Sequence, residues 1–260
     1  MDMPIYQVDA FTDRAFAGNP AGVMPLERWL PEATMQNIAA EMNLPETAFF
    51  APEGEHYRIR WFTPTVEMPL CGHATLASAH VLTRFLKPGL AEVRFESLSG
   101  PLFVAQKGDK LELDFPVRQV APKPEMLSAV AKCFDLKPVE VHESFTYIAL
   151  LETAEQVANL TPDFRALEAL DRDVVVTAPG RDGIDFASRF FAPKIGIPED
   201  PVTGAIHCAL APFWAKILGK KTFRARQASK RGGDLWVSLV GDRVKIAGHS
   251  VCVLKGMLSV

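Results

Sequence analysis

Arg60-Trp61-Phe62-Thr63-Pro64-Thr65-Val66 recurs 129 positions later as Arg189-Phe190-Phe191-Ala192-Pro193-Lys194-Ile195. Just beyond it, Pro69-Leu70-Cys71-Gly72 returns as Pro201-Val202-Thr203-Gly204, 132 positions on. An alanine-rich run follows each, His73 to Leu82 and Ala205 to Trp214. Gly100 to Asp109 then matches Gly233 to Asp242 with five of ten residues identical. Upstream, Ala51-Pro52 matches Ala178-Pro179. One such match is turn chemistry. Four in the same order, all offset by 127–133 positions, read as an internal duplication. Each copy then has about 130 residues, a common domain size.

The fold class follows from one copy. Tyr6 to Phe11 and Thr47 to Ala51 are β-rich and bounded by Asp, Asn, Gly and Pro. Glu32 to Met42 is predicted helical, with Met35, Ile38, Ala39 and Met42 on one face and Pro31 at the start. Tyr57 to Phe62 alternates as a half-buried strand does. Gly72 opens a helix that is apolar nearly all round, the pattern of a helix buried on every side. Leu102 to Gln106 and Lys110 to Phe115 form a hairpin about Gly108-Asp109. The second copy repeats this order and ends in strands Leu235 to Leu239 and Arg243 to Ala247. The expected fold is therefore α+β, with two similar lobes, each a mostly antiparallel, barrel-like sheet around a central apolar helix. The proline-bearing stretch near Val117 to Pro124 is the natural linker. It separates an N-terminal lobe, 1–117, from a C-terminal lobe, 118–260.

Composition excludes several classes. The 260 residues are 48% hydrophobic and 23% charged, with a net charge of −3, as in globular proteins and unlike disordered or collagenous ones. No apolar run is long enough to span a membrane. Met1-Asp2-Met3-Pro4 lacks the basic and apolar regions of a secretory signal. The densest basic stretch, Lys216 to Lys230, reads as a solvated helix end and loop, so no nucleic-acid partner is expected. Cys71, Cys133, Cys208 and Cys252 are far apart, which suits a reduced, cytoplasmic chain without disulfides.

Two related halves leave a cleft between them as the expected site. Gly72 and Gly204 start the two apolar helices, and free N–H groups at a helix start bind anions. A carboxylate cradle and a mere chain turn both fit these glycines. Departures from the repeat are more telling. Met68 in the first copy is Asp200 in the second, and Ala205 in the second copy is His73 in the first. The fold needs neither polar group, whereas an asymmetric site does. Glu46 stands just ahead of an apolar strand, where a carboxylate suits general acid/base work; a solvated strand start fits it too. Asp173 is its approximate counterpart. No metal site is expected: His73 and His80 share a helix face without a third ligand, and neither H-E-x-x-H nor C-x-x-C occurs. His207-Cys208 reads as packing. No phosphate-binding loop motif is present.

Together these segments resemble the phenazine biosynthesis PhzF-like family of the diaminopimelate epimerase superfamily. The matching stretches are Val8 to Thr12, Phe16 to Val23, Asn43 to Phe49, Arg60 to Pro64, Leu70 to Thr75, Glu199 to Gly204, Gln227 to Gly233 and Gly241 to Val244. The resemblance implies a cofactor-free isomerase, a homodimer, acting on a small carboxylate substrate. It implies a diaminopimelate epimerase-like fold with the site between lobes. A glutamate at the Glu46 position would move a proton between carbons of a cyclic amino acid such as trans-2,3-dihydro-3-hydroxyanthranilate. His73 and Asp200 would hold polar substituents, with Gly72, Gly204, Ala205 and Asn19 in substrate binding. Two-base racemases of the superfamily carry a cysteine at both helix starts. Here only Cys71 is present, opposite Thr203, and Ala205 replaces the family's usual serine. A Cys71-dependent epimerase and a carboxylate-binding protein without turnover are the alternatives.

Overall fold

The computed structural model describes residues 2–260; Met1, part of the N-terminal reading above, lies outside the described residues. In chain order the first elements are β1 (Asp2–Ala10), β2 (Asn19–Pro25), α1 (Glu32–Met42), β3 (Glu46–Glu53), β4 (His56–Phe62), β5 (Glu67–Met68), α2 (Gly72–Val81), β6 (Glu92–Ser97), β7 (Gly100–Lys107) and β8 (Lys110–Pro116). β1–β2 is antiparallel, β2–β3 parallel, β3–β4 antiparallel, β4–β6 parallel and β6–β7 antiparallel. Most pairings of this sheet are antiparallel, as expected, and the two parallel ones make it mixed. Their cause is connectivity: a helix separates the partners, α1 between β2 and β3 and α2 between β4 and β6, and parallel neighbours need such a crossover.

The next elements are β9 (Ala121–Pro122), α3 (Leu127–Ala131), β10 (Glu140–Glu143), β11 (Tyr147–Leu150), α4 (Ala154–Asn159), α5 (Phe164–Ala169), β12 (Val174–Pro179), β13 (Phe186–Ala192), β14 (Ile197–Asp200), α6 (Gly204–Leu218), β15 (Thr222–Gln227), β16 (Gly233–Val240) and β17 (Arg243–Gly248). Their pairings run in the same order: β10–β11 antiparallel, β11–β12 parallel, β12–β13 antiparallel, β13–β15 parallel, β15–β16 antiparallel. Two short helices, α4 and α5, stand where α1 stands in the first half. These segments carry none of the motifs that recur between the two halves of the sequence, and the sequence does not predict them.

The last strand, β18 (Ser250–Ser259), corrects the expected boundary. It pairs antiparallel with β1 from Asp2↔Ser259 to Ala10↔Ser250. One compact unit is therefore the chain up to Asp114 joined by Ala247–Val260, and the other is Phe115–Ile246. The 118–260 lobe loses its C-terminal strand to the first unit. The 117–124 stretch is not a free linker, since β9 pairs with β10 there.

Each unit has its own core. Met3, Ile5, Met24, Leu26, Met35, Ile38, Phe49 and Phe62 pack together in the first. Val130, Phe134, Val157, Leu167, Val174, Val176 and Phe191 do so in the second. Each fully buried side chain of this kind contributes about 1.5–3 kcal/mol. α1 has the bounds its periodicity predicts, with Met35, Ile38 and Ala39 buried and Asn43 closing it in a left-handed cap. In α2 every residue from His73 to Val81 is buried. That helix presents no polar face, as its sequence foretold.

One local constraint sets the entry to β2. Gly18 has φ +65°, and a Cβ there would lie 2.1 Å from the Ala10 carbonyl oxygen. Gly18→Ala is expected to cost at least about 2 kcal/mol from the clash and the left-handed backbone together. That lowers Tm by roughly 4–8 °C. Gly54, at φ +64° but with nothing near its missing Cβ, is the control and should lose about half as much on substitution by alanine. Equal melting of the two variants would show that the Gly18 turn relaxes.

Candidate active site

In the first unit, three chain segments bring their ends together. β2 and β3 run parallel with Ala21 opposite Glu46. Asn19 and Glu46, each the first residue of its strand, thus lie toward the same end. Cys71 is the N-cap of α2, with no side-chain capping bond, and His73 sits in its first turn. Asn19, Glu46, Cys71 and His73 are all buried.

The His73 ring links the group. Its Nδ1 is 3.2 Å from Asn19 Nδ2 and 3.5 Å from Cys71 Sγ. Its Nε2 is 3.4 Å from Glu46 Oε2, close enough for an ion pair but not aligned as a hydrogen bond. An amide nitrogen only donates, so Nδ1 is the acceptor and the ring proton belongs on Nε2, facing Glu46. Burial pushes the His73 imidazole down to about 3. It is neutral throughout the physiological range and offers Glu46 an N–H rather than a full positive charge.

Glu46, Cys71 and His73 also place one ligand atom each within 4.8 Å of one another. These are metal-ligating side chains. Cys71 and Asn19 approach the ring at Nδ1 and Glu46 at Nε2, while a single ion takes one ring nitrogen.

The second unit groups Asp200, Thr203, Gly204 and Ala205 at the start of α6. Asp200 ends β14 and accepts a hydrogen bond from the Thr203 hydroxyl. Gly204 is buried and Ala205 exposed. Gln227, fully buried at the end of β15, accepts from the Thr203 backbone N–H at 2.8 Å and donates to the Asp200 carbonyl at 2.8 Å. Sequence reading noted Gln227 only within a matching stretch. A lone buried amide has no periodicity or spacing to expose it. His207 donates through Nδ1 to the Thr203 carbonyl at 2.8 Å. Its Nε2 is buried with no hydrogen-bond partner among the described residues, and burial pushes the ring down to about 4. Burial raises the Cys133 thiol to about 11 and Cys208 to about 12. Both are inert packing groups.

Both helix starts hang on the same ion pair. Arg60 grips Glu67 in a fork at 2.7 and 2.6 Å and lies over the Phe62 ring. Arg189 grips Glu199 at 2.7 and 3.0 Å and lies over the Phe191 ring. Ser99 tethers the Pro69 carbonyl at 2.8 Å and Ser229 the Pro201 carbonyl at 2.7 Å. Exposed single pairs are worth little, but planar two-point contacts at half-buried sites fix geometry.

Comparison with known proteins fits this architecture. An uncharacterized isomerase of Pseudomonas aeruginosa is 49% identical over 263 residues, covering 99% of each chain. A crystal structure of a PhzF-family phenazine biosynthesis protein from Enterococcus faecalis superposes with a TM-score of 0.95 at 45% identity, covering 100% of both chains. A hydroxyproline epimerase of Agrobacterium vitis shares only the fold, with a TM-score of 0.58 at 12% identity over 99% of this chain and 92% of that one. The chain is thus an isomerase with an epimerase-like fold. The model of the family described as phenazine biosynthesis-like protein matches residues 8–256, and the chain belongs to that family. No helix among the described residues is long and apolar enough to cross a membrane.

The buried histidines predict a pH dependence of stability. Once unfolded, His73, His80 and His207 each take a proton below about pH 6.5. Folded, they resist to about 3, 4 and 4. The unfolded state therefore binds more protons as pH falls from about 6.5, and stability drops by up to about 1.4 kcal/mol per pH unit per histidine. Melting temperature should be level near pH 7–8 and fall between pH 6.5 and 5. In His80→Gln, remote from Glu46 in function, that fall should be shallower by about a third. An unchanged slope would mean that folded His80 is already charged.

Proposed function

We propose that this isomerase moves a proton on a small cyclic amino or carboxylic acid, without a cofactor, using Glu46 as the single acid/base. What carries the reading is the buried Glu46 carboxylate 3.4 Å from a neutral His73 ring. A carboxylate takes a proton from a carbon made acidic by a neighbouring unsaturated or carboxyl group. The electron pair left behind delocalises, and the same carboxylic acid returns the proton at another carbon on the same face. His73, neutral and held by Asn19, places its Nε2 edge 3.4 Å from Glu46 without adding a charge. Asp200 and the backbone N–H groups at Gly72, Gly204 and Ala205 are proposed for polar and anionic substrate groups, since helix starts favour them. Likeness to the family favours trans-2,3-dihydro-3-hydroxyanthranilate or a related acid as the substrate, and a homodimer. Four free cysteines suit a reducing cytoplasm.

A duplicated origin for the two units is part of the same proposal. Its support is the repeated pairing order and the paired Arg60–Glu67 and Arg189–Glu199 clamps. A second reading, a Cys71-dependent epimerase, is favoured by one contact: Cys71 Sγ lies 3.5 Å from His73 Nδ1. The second helix start offers Thr203 rather than a second thiol, which weighs against exchange from two faces.

The test is proton exchange in D2O followed by NMR, with dihydro-hydroxyanthranilate and related cyclic amino acids as probes. Glu46→Gln should lower deuterium uptake by about 10²–10⁴-fold, the usual share of a general acid/base, while melting as the parent does. Uptake unchanged in Glu46→Gln would remove Glu46 from the chemistry. Cys71→Ala should retain uptake; its loss there would establish the thiol reading instead.

A further inference from the structure

We infer that Gln227 is a positioning residue for Asp200: it turns the Thr203 hydroxyl proton onto the Asp200 carboxylate and holds that carboxylate in place as an acceptor. The inference rests on the proposed role of Asp200 in handling substrate.

The direction of every bond in the group is forced. Thr203 N–H meets a Gln227 side-chain atom at 2.8 Å, so that atom is Oε1. The other, Nε2, then donates to the Asp200 carbonyl at 2.8 Å and to Thr203 Oγ1 at 3.2 Å. With Gln227 donating to it, Thr203 Oγ1 has its own single proton left to give, and its contact with Asp200 Oδ2 takes that proton. The chain runs one way, from amide to hydroxyl to carboxylate. Gln227 is fully buried and Asp200 buried, while Thr203 is half-buried; bonds in such a setting are stronger than in water.

The first unit enters α2 without such a clamp, and its β6–β7 connection is shorter, two residues between Ser97 and Gly100 against five between Gln227 and Gly233. Gln227 pairs with Gly233 at the close of β15, and Ser97 pairs with Gly100 at the close of β6. The Ser97 hydroxyl goes to the Gly100 carbonyl at 2.8 Å. The serine tether and the arginine–glutamate fork are present in both units. Only the unit that carries Asp200 adds a glutamine, and it points at Asp200. Glu199 is held by Arg189, and the neutral His207 ring is engaged with the Thr203 carbonyl.

Gln227→Glu keeps the shape and reverses the logic. An ionised carboxylate at 227 attracts the Thr203 proton away from Asp200 and adds a negative charge nearby. The primary readout needs no substrate: the Asp200 carboxyl titration, followed by 13C NMR of aspartate-labelled protein. Losing the Thr203 proton should shift the Asp200 titration upward in Gln227→Glu and in Thr203→Val, and Thr203→Ser should restore it. The second readout is deuterium uptake with dihydro-hydroxyanthranilate. Gln227→Glu should be about tenfold or more below the parent at pH 8 and recover as the pH falls and Glu at 227 regains a proton. An Asp200 titration identical in the parent, Gln227→Glu and Thr203→Val would overturn the inference, folded state verified by circular dichroism. If Gln227→Glu fails to fold, Thr203→Val against Thr203→Ser decides alone. Full uptake in Asp200→Asn would instead overturn the parent reading of Asp200, whatever Gln227 does.

Discussion

The burial of α2 on every side is the constraint from which the first unit follows. A helix with no wet face cannot rely on solvent to satisfy side-chain polar groups. Its composition answers that demand. Ala74, Leu76, Ala77, Ala79 and Val81 are fully buried, and the hydroxyls of Thr75, Ser78 and Thr83 turn back to carbonyls of the helix itself at 2.6–2.8 Å. His80 finds Ser250 Oγ at 2.7 Å. The same dryness reaches the first turn and acts there on His73. An imidazole in that setting loses the charged form, and this makes it a neutral partner for Glu46 rather than a counterion. Packing and chemistry at this site thus share one cause.

The two units show how a common frame is specialised by few residues. Both use an arginine on the strand before the helix start, a glutamate on the approach segment, and an aromatic ring under the guanidinium. What differs is what rides on the frame. The first unit places a thiol and an imidazole there, and the second a hydroxyl, an aspartate and a buried amide. A helix start leaves backbone donors open in either case, so replacing side chains around it changes the chemistry without changing the fold.

Much of this was legible in the sequence. The recurring motifs stand in the same order as the strand pairings of the two units. α1 is legible from spacing and α2 from its lack of polar positions. Glu46, His73 and Asp200 stood out because they break the repeat or precede an apolar strand. Three things were not legible. The parallel pairings follow from which strands a crossover joins, and residue type says little about that. β18 belongs with β1 through backbone pairing across nearly the whole chain length, which no local pattern records. Gln227 depends on a buried three-way contact among residues far apart in sequence.

The contrast between Cys71 and Thr203 explains why one carboxylate suffices for the proposed chemistry. Exchange from two faces of a carbon needs two bases, and Thr203 is no base: its proton is committed to Asp200. Cys71 lies beside His73 Nδ1, the face of the ring that Asn19 already occupies as a donor. The amide can only donate, so the Asn19 contact sets the Nε2–H tautomer, and the Cys71 sulfur packs beside the same ring nitrogen. Cys71 thereby supports the neutral ring that Glu46 faces.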